Sequence, residues 1–74
     1  MERLMYILNE LDDTILWETE EKLIDDHILD SLKVIMLISE IENEFDIEIH
    51  AEEIRPENLN SAKKMWTMIQ RLQG

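Results

Sequence analysis

The sequence predicts an all-α fold, a small bundle of three main helices plus one short helix, on three observations. Apolar residues recur at i, i+3 and i+4 spacing over three separate stretches, the signature of helices with one face inward. The 74 residues include only one Gly and one Pro, so little interrupts those stretches. The only polar–apolar alternation, Asp46-Ile47-Glu48-Ile49-His50, is a short run without a partner strand and reads as an extended loop.

Leu4, Leu8, Leu11 and Ile15 hold helical spacing, which predicts a first helix over about residues 2–12. Asp12, Asp13 and Thr14 then weaken it, because short polar side chains compete for backbone hydrogen bonds. Residues 14–30 read as a long connection pinned by Ile15, Leu16, Trp17, Leu23, Ile28 and Leu29, with one short turn at Thr19–Lys22. A connection of that length in a small domain points to a functional segment. The second helix opens at Ser31 or Leu32, capped by Asp30 or Ser31, and ends near Asp46. Leu32, Ile35, Ile38, Ile41, Glu42 and Phe45 follow its i, i+3, i+4 rows, Val34, Leu37 and Ile41 widen the apolar face, and Lys33, Glu40, Glu42 and Glu44 lie mostly off it. A short helix is expected over Ala51–Arg55, stopped by Pro56, and residues 56–60 read as a turn anchored by Leu59. A last helix over 61–73, capped by Asn60 or Ser61, turns Ala62, Met65, Trp66, Ile69 and Leu72 inward.

Composition narrows the function. Residues 1–74 read as a single domain, near the lower size limit for a self-sufficient core. With 45% hydrophobic residues the chain is no disordered tail, and without Cys it has neither disulfides nor a thiol nucleophile. All acids but Glu57 precede Arg55, whereas only Arg3, Lys22 and Lys33 among the bases do, and the net charge is −11. Such a surface repels nucleic-acid phosphates and anionic membranes and attracts basic protein surfaces. The opening residues, with Glu2, Arg3 and Glu10, do not resemble a signal peptide, and no apolar run suits membrane insertion. A cytoplasmic monomer is the expectation.

The most informative stretch is Asp30-Ser31-Leu32, where an irregular acidic segment gives way to the most apolar helix. A serine there either caps the helix or is presented for chemistry. Asp30-Ser31-Leu32, Glu44-Phe45-Asp46-Ile47-Glu48-Ile49, Glu52-Glu53-Ile54 and Pro56-Glu57-Asn58-Leu59-Asn60-Ser61 occur in the order found in acyl carrier proteins, a phosphopantetheine-binding family. Over roughly residues 15–72 the chain resembles that family, and within it the discrete D-alanyl and aminoacyl carriers more than the fatty-acid type. Leu23-Ile24-Asp25-Asp26 ahead of Ile28-Leu29-Asp30-Ser31, with the turn at 56–61, carries that preference. Two positions depart from the pattern: His27, where relatives often have Gly, and Lys33, where fatty-acid carriers usually have Asp.

The resemblance implies a carrier rather than an enzyme. Ser31 would receive 4′-phosphopantetheine from coenzyme A through a phosphopantetheinyl transferase, with Asp30 orienting that enzyme or its metal and Leu32 beside the attachment point. The thiol of the arm would hold the cargo as a thioester. An adenylating ligase would load the acyl or aminoacyl group, and a downstream acyltransferase would take it. Leu32 and Ile35 would offer partner enzymes an apolar patch, and Glu40, Glu42, Glu44 and Asp46 would meet their basic residues.

Other chemistries fit poorly. Asp25–Asp30 lacks the alternating oxygen ligands and central Gly of a calcium loop. His27 and His50 show no metal-ligand spacing, and Ser31 has neither a nucleophile elbow nor a Gly-rich oxyanion loop around it. Trp17 and Trp66 read as core anchors, their indole N–H groups reaching solvent or a carbonyl. The alternative from another class is a small acidic helical adaptor or inhibitor without a prosthetic group.

Overall fold

A computed structural model describes all residues, Met1–Gly74. It is all-helical: α1 spans Glu2–Leu11, α2 Ser31–Phe45, α3 Pro56–Leu59 and α4 Ala62–Gln73, with a 3-10 turn at Ala51–Glu53. Two ion pairs fix the relation of α1 to α2. Arg3 reaches Glu44 at 3.4 Å and Lys33 reaches Asp12 at 2.6 Å, so the start of one helix lies against the end of the other and the two run antiparallel. Helix α4 closes the bundle against α1 and α3.

The core draws on every element. Leu4 and Leu8 from α1, Leu37 and Ile41 from α2, and Met65, Met68 and Ile69 from α4 are fully buried. Leu23 in the connection and Leu59 in α3 join them. Burying such side chains contributes roughly 1.5–3 kcal/mol each, which lets a domain of this size dispense with disulfides.

Several expected faces and boundaries shift. On α2 the inward row is Leu37, Ile38 and Ile41 with Val34 and Phe45 half-buried, whereas Leu32 and Ile35 are 66% and 63% exposed. Helical spacing alone puts both on the inward row, whereas the resemblance puts them in an outward apolar patch; no element covers that side of the first turn, and both are exposed. Ile7 and Met68 are buried without having been expected there, because α1 and α4 each contact more than one neighbour. Pro56 opens a helix instead of stopping one. Arg55 before it is extended (φ −154°), and a proline suits the first helical position, where its missing N–H is not needed. The stretch expected as the short helix, Ala51–Arg55, holds only the 3-10 turn. In the long connection the turns fall at residues 13–14, 17–19 and 23–27 instead of Thr19–Lys22. Residues 47–50 form neither helix nor strand, and His50 at their end is extended (φ −77°, ψ 157°).

Candidate functional site

Asp30 decides where α2 begins. Its Oδ1 accepts the Lys33 N–H at 2.8 Å and its carbonyl accepts the Val34 N–H at 2.9 Å. A helix start has four N–H groups without partners inside the helix. With two satisfied by Asp30, those of Ser31 and Leu32 remain available. Asp30 therefore does the capping, and Ser31 becomes the first helical residue, exposed, with the positive end of the helix dipole beneath it.

The connection before Ser31 is held by one buried side chain. Asn60 Oδ1 accepts the N–H groups of Ile24 (2.9 Å) and Asp25 (3.1 Å), and its Nδ2 donates to Asp25 Oδ2 at 3.0 Å. The Asn60 carbonyl accepts the Leu23 N–H at 3.0 Å. Four bonds from one residue thus pin the middle of an irregular segment to the α3–α4 junction. The buried indole of Trp17 donates to the Asp12 carbonyl at 2.9 Å, meeting the expectation of a carbonyl partner. His27 adopts φ +57°, the left-handed conformation that glycine tolerates best.

Behind Ser31 lies an open groove of about 750 Å³, lined by Asp30, Ser31, Ile35 and Ile38 on one side and by Ile54, Arg55 and Leu59 on the other. The groove is mostly apolar. Leu32, one residue on, faces outward beside it.

The acids expected to act together are divided by the fold. Glu42 is half-buried and accepts the Ile49 N–H at 2.8 Å, tying down the loop after α2. Glu44 pairs with Arg3. Asp46 ends α2 in a left-handed conformation, φ +53°. Glu40 and Glu44 line a second groove, between α1 and α2.

Charges outside the motif brace the site. The Lys33 ammonium, with help from the Thr14 hydroxyl and amide, holds the Asp12 carboxyl well below the usual carboxylate range. Reciprocally, the Asp12 hydrogen bond raises Lys33. On the far side of the groove, Arg71 grips Glu53 with two hydrogen bonds, 2.6 and 3.1 Å, lowering the Glu53 carboxyl and tying the 3-10 turn to α4. The sequence offers Asn60 only as a cap for the last helix and Asp12 only as a residue that weakens the first. Their roles arise from partners 35 and 21 residues away, beyond any local pattern.

Among known proteins, the chain is similar to the D-alanyl carrier proteins of Lactococcus lactis subsp. cremoris strains MG1363 and SK11 and of subsp. lactis strain IL1403. Each is 42% identical over 48 residues, covering 65% of this chain and 61% of the relative. The chain thus matches about three-fifths of the length of these curated relatives. No family model matches it, and no solved structure does. No helix is long and apolar enough to cross a membrane. Over those 48 residues the similarity is to carrier proteins.

Proposed function

We propose that the chain is a discrete acyl or aminoacyl carrier, with Ser31 the attachment point for 4′-phosphopantetheine and a D-alanyl group the first candidate cargo. The observation that carries this reading is an exposed serine at the first position of a long helix, its capping duty taken by Asp30, beside an apolar groove. The similarity to D-alanyl carrier proteins supports it.

The residues present suit the group. A phosphodiester on Ser31 Oγ would sit over the free N–H groups of Ser31 and Leu32 and the helix dipole, a favourable setting worth roughly 0.3–1 kcal/mol for an exposed charge. When bound, the group supplies a flexible arm ending in the thiol that the Cys-free chain lacks and that holds cargo as a thioester. The chain contributes no catalytic centre. Serine is a weak nucleophile at neutral pH, so a transferase must provide the base and metal that activate Oγ. Asp30, immediately before Ser31, is the acid placed to orient that enzyme.

Leu32 and Ile35 form the apolar part of the surface offered to the transferase, a ligase and a downstream acyltransferase. Glu40, Glu44 and Asp46 form its acidic part, and Glu42 acts chiefly by holding the loop behind them. Such contacts are weak and salt-sensitive, which lets a carrier leave one enzyme for the next.

Incubation with coenzyme A, Mg²⁺ and a broad-specificity phosphopantetheinyl transferase should add one phosphopantetheinyl group to the wild type and none to Ser31→Ala, read by intact mass. An unmodified wild type overturns the proposal in favour of an acidic adaptor. Loading of the modified chain by candidate adenylating ligases then identifies the cargo.

A further inference from the structure

The groove beside Ser31 has a single permanent cation in its lining, Arg55, on the wall opposite the attachment point. The backbone holds Arg55 firmly. It precedes Pro56 in an extended conformation (φ −154°), its N–H donates to the Glu53 carbonyl at 3.0 Å, and its carbonyl accepts the N–H groups of Asn58 (3.0 Å) and Leu59 (3.1 Å). The side chain, by contrast, is uncommitted. It is exposed and enters none of the four ion pairs of the chain. Glu53, two residues back, is already gripped by Arg71. In a chain of net charge −11, this guanidinium therefore lines the groove without a paired acid.

Such a lining selects by charge. Val34, Ile38, Ile54 and Leu59 make the groove apolar, and its volume of about 750 Å³ is that of a pocket for a small organic group. A guanidinium presents a planar fork that matches a carboxylate through two parallel hydrogen bonds. The same charge repels an ammonium. Asp30, the only acid in the lining, lies beside the attachment point instead of across from it, and its Oδ1 is engaged by the Lys33 N–H. A group reaching from Ser31 to the opposite wall therefore meets apolar side chains and one cation.

We propose that Arg55 sorts the cargo of the Ser31 arm by charge: an acyl group ending in a carboxylate lodges in the groove against Arg55, whereas an aminoacyl group with a free ammonium stays outside. The cargo class that the groove shelters is thus the half-thioester of a small dicarboxylic acid. A D-alanyl group is left exposed for the next enzyme. Arg55 is a specificity-determining residue, and no bond forms or breaks in this step. The inference rests on the carrier reading for the arm and goes beyond it in naming what the groove holds.

The test loads the full isotope-labelled chain from amino-coenzyme A analogues, in which a stable amide replaces the thioester, carrying succinyl, butyryl or D-alanyl groups. Relative to the unacylated arm, the succinyl form should shift the amides of Ile38, Ile54, Arg55 and Leu59 most, the butyryl form less and the D-alanyl form not at all. Arg55→Gln should reduce the succinyl shifts to the butyryl level, and Arg55→Glu should let the D-alanyl form shift the same amides. Because Arg55 is exposed, both variants should keep the wild-type fold, checked by their amide spectra. Free succinyl, butyryl and D-alanyl amides of aminopantetheine, titrated onto the unmodified chain, should follow the same order. There Arg55→Gln should weaken the succinyl probe roughly tenfold and leave the butyryl probe unchanged. Equal shifts from D-alanyl and succinyl groups, succinyl shifts indifferent to Arg55→Gln, or no shift at the groove with any group overturns the proposal. Ser31 modification is read separately by mass. A chain that stays unmodified ends the carrier reading, while the free probes still decide whether Arg55 sorts by charge.

Discussion

Lys33 is held at both ends: its backbone N–H by Asp30 at 2.8 Å, and its ammonium by Asp12 at 2.6 Å across the α1–α2 interface. The residue two positions after Ser31 thereby links the cap of α2 to the end of α1. Asp12 in turn receives the Trp17 indole on its carbonyl, so the same point also secures the start of the connection. Lys33 is thus built into the fold.

That pair makes a pH prediction. The Asp12 carboxyl is lowered in the folded protein, so its contribution is fully present above its ordinary value of 3.8 and is lost as pH falls through the lowered one. Lys33 is raised, so its share is complete below 10.5 and lost only as pH rises past that. Asp12→Asn should lower the urea midpoint at pH 7. The gap from wild type should narrow progressively below about pH 4. A gap unchanged at pH 2.5–3 would show that the pair is not the cause.

Asn60→Ala should cost about 1–3 kcal/mol, since it strands the Ile24 and Asp25 amides that no other group serves. Hydrogen exchange should reveal where: those two amides lose protection first, while amides in the middle of α4 lose it only through the global term. Uniform loss across the chain would deny Asn60 its local role.

Leucines around Ser31 should behave oppositely. Leu23 is fully buried, and Leu23→Ala should cost about 2–5 kcal/mol by urea unfolding. Leu32 is 66% exposed, so Leu32→Ala should change stability by only about 0.5 kcal/mol while weakening productive contact with the transferase. A large stability loss at Leu32 would mean it is packed after all.

His27 carries backbone strain at φ +57°. His27→Gly should stabilise the fold by about 0.5–1 kcal/mol, relief of the left-handed conformation outweighing the added freedom of the unfolded chain. A thermal melt of the two proteins decides it. Destabilisation would show that the His27 side chain, which borders the Ser31 groove, contributes more than its backbone costs.

The helices were legible because their causes are local. Periodicity placed α1, α2 and α4 to within a residue or two, and Ser61 caps α4 through the Lys64 N–H as its position before an apolar run suggests. Asp30 and Ser31 competed for one cap on equal local grounds. Only the carboxylate's reach to the Lys33 amide separated them. Pro56 is ambiguous in sequence because a proline is equally at home after one helix and at the start of the next, and the extended Arg55 before it fits both.

By itself the sequence determined the all-helical class, the three long helices and the serine at the mouth of the second, since hydrophobic period and capping chemistry act over one or two turns. The tertiary structure alone decided which side of α2 is left open at Leu32 and Ile35, how Asn60 and Asp12 brace the approach to Ser31, and which acids face outward. Burial and long-range hydrogen bonds depend on which distant elements come to lie opposite, and no local pattern contains that.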